Sequence, residues 1–150
     1  MTISLEKQHS TSKPQIQIKR VYKHEISKVW RALTSKEALS EWLMETKNFE
    51  LNVGAKFSFY TKPIGKFDGV VNCEVLEYNE PYIISYSWKA SSMKRPTLVV
   101  WELKKLSKSE TLLTLSHTKF EGLNGWITKQ ILRNGWKGIL SKKLTKYLAI

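Results

Sequence analysis

Apolar residues recur along this chain with two different periods, and the order of those periods predicts an architecture. From Gln15 to Lys23 they alternate. Ile16 and Ile18 fall on one side, with Gln15, Gln17 and Lys19 on the other, as in a half-buried strand. The period then lengthens. Ile26, Val29, Trp30 and Leu33 stand at i, i+3, i+4 and i+7, one face of a short helix. Thr34 followed by Glu37 predicts a capping box. It would open a second short helix whose buried face is Leu39, Trp42 and Leu43.

Strand periodicity then takes over. Val53-Gly54 marks a turn, after which Ala55, Phe57 and Phe59 alternate with Lys56, Ser58 and Tyr60. Pro63 and Gly65 supply the next turn. Gly69 to Tyr78 is strand-like, but its inward face is ambiguous. Asn79-Glu80-Pro81 is a tight connection to a strand with Ile84, Tyr86 and Trp88 on one face. Ser91 to Pro96 reads as a polar, basic loop. Val99, Trp101 and Leu103 form the next inward face, Lys104 to Glu110 a hairpin turn, and Leu113, Leu115 and His117 the last inward face. Short turns between successive strands imply a mostly antiparallel sheet of about six or seven strands.

The chain closes on a helix. Leu132, Trp136, Leu140, Leu144 and Leu148 recur at i+4, flanked by Ile139 and Tyr147. A lone helix with such a face, following so many strands, must bury its stripe against the sheet. The predicted class is α+β: a curved antiparallel sheet gripping a long C-terminal helix, with two short helices after the first strand.

A length of 150 residues fits one domain with a sizeable core. Residues 1–14 are polar and read as a loose tail, leaving 15–150 as the domain. No stretch reaches the ~18 apolar residues of a membrane span, and the N-terminus lacks the apolar segment of a signal peptide. Cys73 is the only cysteine, which excludes an intrachain disulfide. These features predict a cytoplasmic protein.

Charge adds a second layer. The net charge is +12, and the stretch 122–150 holds six basic residues and no acidic one. Such a field attracts nucleic acid, anionic membrane or acidic protein. Only four of the 25 basic residues are Arg, the side chain suited to bidentate phosphate recognition. That weighs against a dedicated nucleic-acid binder. Nucleic-acid or anionic-membrane contact ranks last among the partners, and solvation of a Lys-rich surface is the simpler reading.

Several segments together resemble one family. They are Val29-Trp30-Arg31-Ala32-Leu33, Glu41-Trp42-Leu43, Val53-Gly54-Ala55-Lys56-Phe57, and Glu80-Pro81 leading to Ser87-Trp88. Val99-Val100-Trp101-Glu102-Leu103, Thr111 to His117, and Gly135-Trp136 with Leu140, Leu144, Tyr147 and Leu148 complete the series. In order and spacing they are similar to the activator of heat-shock-protein ATPase homologues, within the START-like (SRPBCC) helix-grip superfamily. The first helix departs from the family's frequent opening proline, with His24-Glu25-Ile26 in that place. The family's Gly-Gly before the third strand is Gly54-Ala55 here. The resemblance implies a cavity between sheet and helix, in a superfamily whose members bind lipids, sterols, flavonoids or polyketides, and some of which are enzymes.

The candidate site is aromatic. Trp42, Phe57, Phe59, Tyr86, Trp88, Trp101 and Trp136 are expected to converge between sheet and helices, with Leu140 beside them. Each could equally be a core filler. Trp and Tyr present a large apolar body with one polar atom, which suits stacking on a flat ligand. His117 shares the inward face of Leu113 and Leu115. It could orient a ligand, act as acid or base, or be a core histidine satisfied by a backbone carbonyl. No metal-ligand spacing, nucleophile elbow, phosphate loop or dinucleotide fingerprint occurs, so neither metal nor cofactor is expected. Lys143 falls near the apolar stripe and is expected to snorkel.

The reading is therefore of a small hydrophobic or aromatic ligand held between sheet and helix. A co-chaperone-like module acting on a heat-shock ATPase is the alternative, and a cyclase- or hydratase-type enzyme using His117 the third.

Overall fold

The computed structural model describes the backbone of residues 16–120 and 122–150, and their side chains except those of 122–128. The tail expected at 1–14, and Gln15, lie outside the described residues. The fold is α+β, with seven strands in one antiparallel sheet. Strand β1 (Ile16–Tyr22) is followed by helices α1 (Ile26–Thr34) and α2 (Lys36–Trp42). Then come β2 (Glu45–Lys47), β3 (Lys56–Tyr60), β4 (Val70–Asn79), β5 (Ile83–Ala90), β6 (Thr97–Ser107) and β7 (Glu110–Thr118). Helix α3 (Gly122–Gly138) runs on through a π-helical stretch, Ile139–Leu144, into a last turn, α4 (Thr145–Leu148).

The strand order is β1-β7-β6-β5-β4-β3-β2. Strand β1 thus crosses to the far side, pairs with β7, and lets the two short helices span the gap to β2. Every other neighbouring pair is consecutive along the chain, as antiparallel neighbours allow. The Lys104 to Glu110 turn is shorter than expected: β6 continues to Ser107, with a register shift between Lys105 and Ser107.

The ambiguous strand resolves into two halves. Val71, Cys73 and Val75 of β4 are buried, and a bulge between Val75 and Glu77 then changes the register against β5. Leu76 is consequently 44% exposed. A bulge inserts one residue and breaks the period of two, so no single alternation fits the segment. Gly69 opens this strand at φ +85°, and a Cβ there would collide with the Thr61 carbonyl oxygen. Only glycine fits.

The cap of α2 differs from the expectation. Ser35, not Thr34, is the N-cap, and its hydroxyl accepts the Ala38 N–H at 3.2 Å. Thr34 still belongs to α1 and donates its hydroxyl to the Trp30 carbonyl one turn back at 2.8 Å. Two capping-type residues in succession made the choice unreadable locally, because each can bond a nearby backbone group. Strand β2 is three residues long and carries too little alternation to be anticipated.

The C-terminal helix shows why its apolar row recurs at i+4. In an α-helix a row at that spacing drifts about 40° around the axis at each step. Over the whole row the last leucine would turn away from the sheet. The π-helical stretch closes wider i→i+5 turns and rotates successive residues by less. Leu140, Leu144 and Leu148 are all 0% exposed as a result. The Leu140 carbonyl accepts the Tyr22 hydroxyl at 2.7 Å and the Thr145 hydroxyl at 3.3 Å. Side-chain donors of this kind are a recognised cause of irregularity in a helical ladder. Lys143 is exposed, as a snorkelling lysine should be.

Trp136→Ala should cost about 3–5 kcal/mol, because it removes a large ring that is 2% exposed and meets two sheet tryptophans. A urea titration would measure it, and a loss below ~1 kcal/mol would mean that the helix does not depend on this contact. Tyr22→Phe should cost about 1 kcal/mol through the hydrogen bond to Leu140.

Candidate functional site

The inward faces of β3, β5, β6 and β7, the end of α2 and the sheet-facing side of α3 bring the predicted aromatic residues together. Trp42, Phe57, Phe59, Tyr86, Trp88, Trp101, His117, Trp136 and Leu140 all lie in one buried core, each at most 3% exposed. The rings form a chain of contacts. Trp42 meets Trp101 edge-on at 6.0 Å, Trp101 meets Trp136 at 5.5 Å, and Trp136 meets Trp88 at 5.3 Å. Trp88 leads to Phe59 at 5.6 Å, and Phe57 joins Phe59 at 5.4 Å and Tyr86 at 5.1 Å. Most are edge-to-face, the geometry favoured by the ring quadrupole.

His117 sits at the junction of helix and sheet. The Trp136 indole N–H donates to His117 Nδ1 at 3.1 Å. An indole can only donate, so Nδ1 is an acceptor and carries no proton. The ring proton is therefore on Nε2, where it donates to Thr97 Oγ1 at 2.7 Å. Thr97 passes its own proton to the Trp88 carbonyl at 2.8 Å. The chain Trp136, His117, Thr97, Trp88 runs in one direction and leaves no ring nitrogen unused. Burial pushes the His117 pKa down to about 3, since desolvation disfavours the cation.

A second polar link lies nearby. Trp101 Nε1 donates to the Tyr86 hydroxyl at 2.8 Å. Burial, and then Cys73 beside it, push the Tyr86 phenol up, so it stays protonated. Burial likewise raises the Cys73 thiol, which is no ready nucleophile. Trp42 is tied differently: its indole N–H donates to the Ala32 carbonyl at 2.8 Å, which fixes α2 against α1.

Three participants escaped the sequence reading. Thr97 follows a Pro and a basic loop, and nothing local marks it as the partner of a histidine twenty residues on. Phe120, tilted against His117 at 4.7 Å, lies just beyond the strand's alternation. Phe49 extends the cluster to Phe57 at 4.9 Å from an irregular segment. A surface depression of about 560 Å³ lies beyond Phe49, lined by Thr34, Ser35, Lys36, Glu37, Asn48, Phe49, Glu50 and Leu51. None of the predicted site residues lines it.

Among the described residues no group of three His, Cys, Asp or Glu could hold a metal ion, and no helix is long and apolar enough to cross a membrane.

A sheet of this order closed by a C-terminal helix defines the helix-grip class. Residues 23–149 match the family described as Activator of Hsp90 ATPase homolog 1-like protein, and the chain belongs to that family. No curated protein sequence matches it. Among solved structures it is similar to protein MLL2253 from Mesorhizobium loti, at 25% identity and TM-score 0.77, over 89% of this chain and 96% of that one. DynU16, a protein in the dynemicin biosynthetic locus, shares the fold at 20% identity and TM-score 0.72, over 89% of this chain and 46% of its own. PFC0360w, an HSP90 activator from Plasmodium falciparum, shares it at 22% identity and TM-score 0.67, over 86% of this chain and 89% of its own.

The His117 geometry has a direct signature. Its imidazole should remain the neutral Nε2–H tautomer from pH 8 down to about pH 4 in long-range nitrogen–proton NMR spectra. In the unfolded chain the same ring protonates near pH 6.5. The unfolded state therefore binds the proton first. Stability held by the neutral ring is complete above about pH 6.5 and is lost as the pH falls toward about 3. A ring that titrates near pH 6.5 in the folded protein would contradict the hydrogen-bond chain.

Proposed function

We propose that the protein binds a small hydrophobic or aromatic molecule, such as a lipid, flavonoid or polyketide-like compound, between its sheet and its C-terminal helix. We propose further that it binds without transforming it. The observation that carries this reading is the continuous run of rings from Trp42 to Phe120 across the helix–sheet junction. What such a lining offers a guest is apolar area and ring faces. It offers little chemistry. Both nitrogens of His117 are engaged, and Cys73 and Tyr86 are held in their protonated forms. The cyclase or hydratase reading loses its intended acid or base.

The rings touch one another, so a guest has to part Trp136 from Trp88 and Trp101. Binding would thus be felt by the helix and reported by its tryptophan. The likeness to DynU16 gives modest support, since a biosynthetic locus is a setting in which small molecules are handled.

Flavonoids or fatty acids should quench tryptophan fluorescence saturably, shift the Trp88, Trp101 and Trp136 indole signals, and raise the melting temperature. At a hundredfold excess over Kd the stabilisation should be about 2.7 kcal/mol. A broad hydrophobic library that moves neither the indole signals nor the melting temperature would remove this reading.

A second reading has a specific observation in its favour. The domain spans 89% of PFC0360w, so a chain of about this extent can bear the description of HSP90 activator. A co-chaperone-like module would use the surface rather than the core, and the +12 charge would steer an acidic partner. It should bind an Hsp90-type ATPase directly and accelerate hydrolysis. A pull-down and an ATPase assay, both negative at low salt, would set it aside.

A further inference from the structure

The basic residues are not spread evenly over the sheet's two ends. Antiparallel pairing brings the β3–β4 connection (61–69), the β5–β6 connection (91–96) and the end of β7 to one end. The pairing of Leu98 with Thr118 puts Lys119 beside the β5–β6 connection. The first two connections are joined directly, since the Ser91 hydroxyl donates to Asp68 Oδ2 at 3.1 Å.

Lys62, Lys66, Lys94, Arg95 and Lys119 are all exposed at this end. Among the described residues there, the acids are Asp68 and Glu45, which opens β2 opposite Tyr60 at the edge of the sheet. Five basic residues still outnumber them. Asp68 is already engaged. Its other oxygen accepts the Val70 N–H at 3.0 Å, so both oxygens already serve the loop. The opposite end is mixed: Glu25, Glu80 and Glu110 lie among Lys23, Lys105 and Lys108.

Apolar surface crowns the basic end. Ile64 is 73% exposed at the tip of the β3–β4 connection, where it forms an isolated bridge with Phe67. Lys62 and Lys66 stand two residues to either side of it. Phe67 and Met93 are half-buried behind it and pack on the core. An apolar tip flanked by two lysines, with further lysines on the neighbouring connections, matches one surface chemistry. The tip enters the headgroup boundary, while lysine stems lie along it and their ammonium groups meet anionic headgroups. A nucleic acid would instead call for guanidinium forks and exposed aromatic platforms. Among the described residues this end has one Arg and no fully exposed aromatic ring.

We propose that this end of the sheet is a docking surface for an anionic lipid bilayer, with Ile64 entering the interface and Lys62, Lys66, Lys94 and Lys119 meeting the headgroups. The proposal stands apart from the ligand reading, because its test needs no ligand in the core.

The test is co-sedimentation with vesicles of phosphatidylcholine alone and of phosphatidylcholine mixed with phosphatidylserine, at low and at physiological salt. Each variant's fold is checked by circular dichroism. The unaltered protein should bind only the serine-containing vesicles, and less at higher salt. Lys62→Gln with Lys66→Gln should weaken binding about 25-fold, at about fivefold per lysine. Ile64→Ser keeps the charge and should weaken it about tenfold. Lys105→Gln with Lys108→Gln, at the other end, should leave binding unchanged. No binding to the serine-containing vesicles overturns the proposal. Equal losses from the two lysine pairs overturn it too, since they would mean unspecific attraction. An unchanged Ile64→Ser would do the same and point to an acidic protein or a nucleic acid instead.

Discussion

The fold depends on how one histidine is used. His117 is fully buried on the last strand, and its two nitrogens accept from the helix and donate into the sheet. A buried imidazole without partners would be costly, and a charged one costlier still. Here the donor-only indole of Trp136 settles the tautomer, and the tautomer orients Thr97 toward the Trp88 carbonyl. Each group therefore fixes the next. The helix is held at one angle and one height, which apolar contact alone specifies poorly because dispersion forces have little direction.

Everything else about the C-terminal helix follows from keeping that contact while burying the leucines beyond it. Trp136 must face the sheet, and so must Leu140, Leu144 and Leu148. A regular α-helix meets the first demand and drifts from the second. The π-helical stretch reconciles them, and the Tyr22 hydroxyl ties the Leu140 carbonyl to the first strand. Strand β1, which crosses the sheet to pair with β7, thereby anchors the chain's last element as well. The same closure decides the chemistry. The rings pack on one another, and among the described residues of the cluster His117 has both nitrogens engaged while Cys73 and Tyr86 keep their protons.

Much of this was legible in the sequence, because burial has a period. Alternation marked β1, β3, β5, β6 and β7, and the i+4 row marked the closing helix. Those patterns also put the aromatic residues and His117 on inward faces, and the order of the motifs carried the family. The sequence by itself thus determined the inward faces of these elements, though not that of β4 nor the burial of Phe49, Thr97 and Phe120. It did not determine what they touch. Thr97 as the partner of His117, Ser35 rather than Thr34 as the cap, and the bulge that splits β4 are decided by neighbours far away in sequence or by register, which no local period encodes. The basic residues were likewise countable, but which of them share one end of the sheet was not. Antiparallel pairing decides which loops share an end, and only the folded chain carries out that pairing.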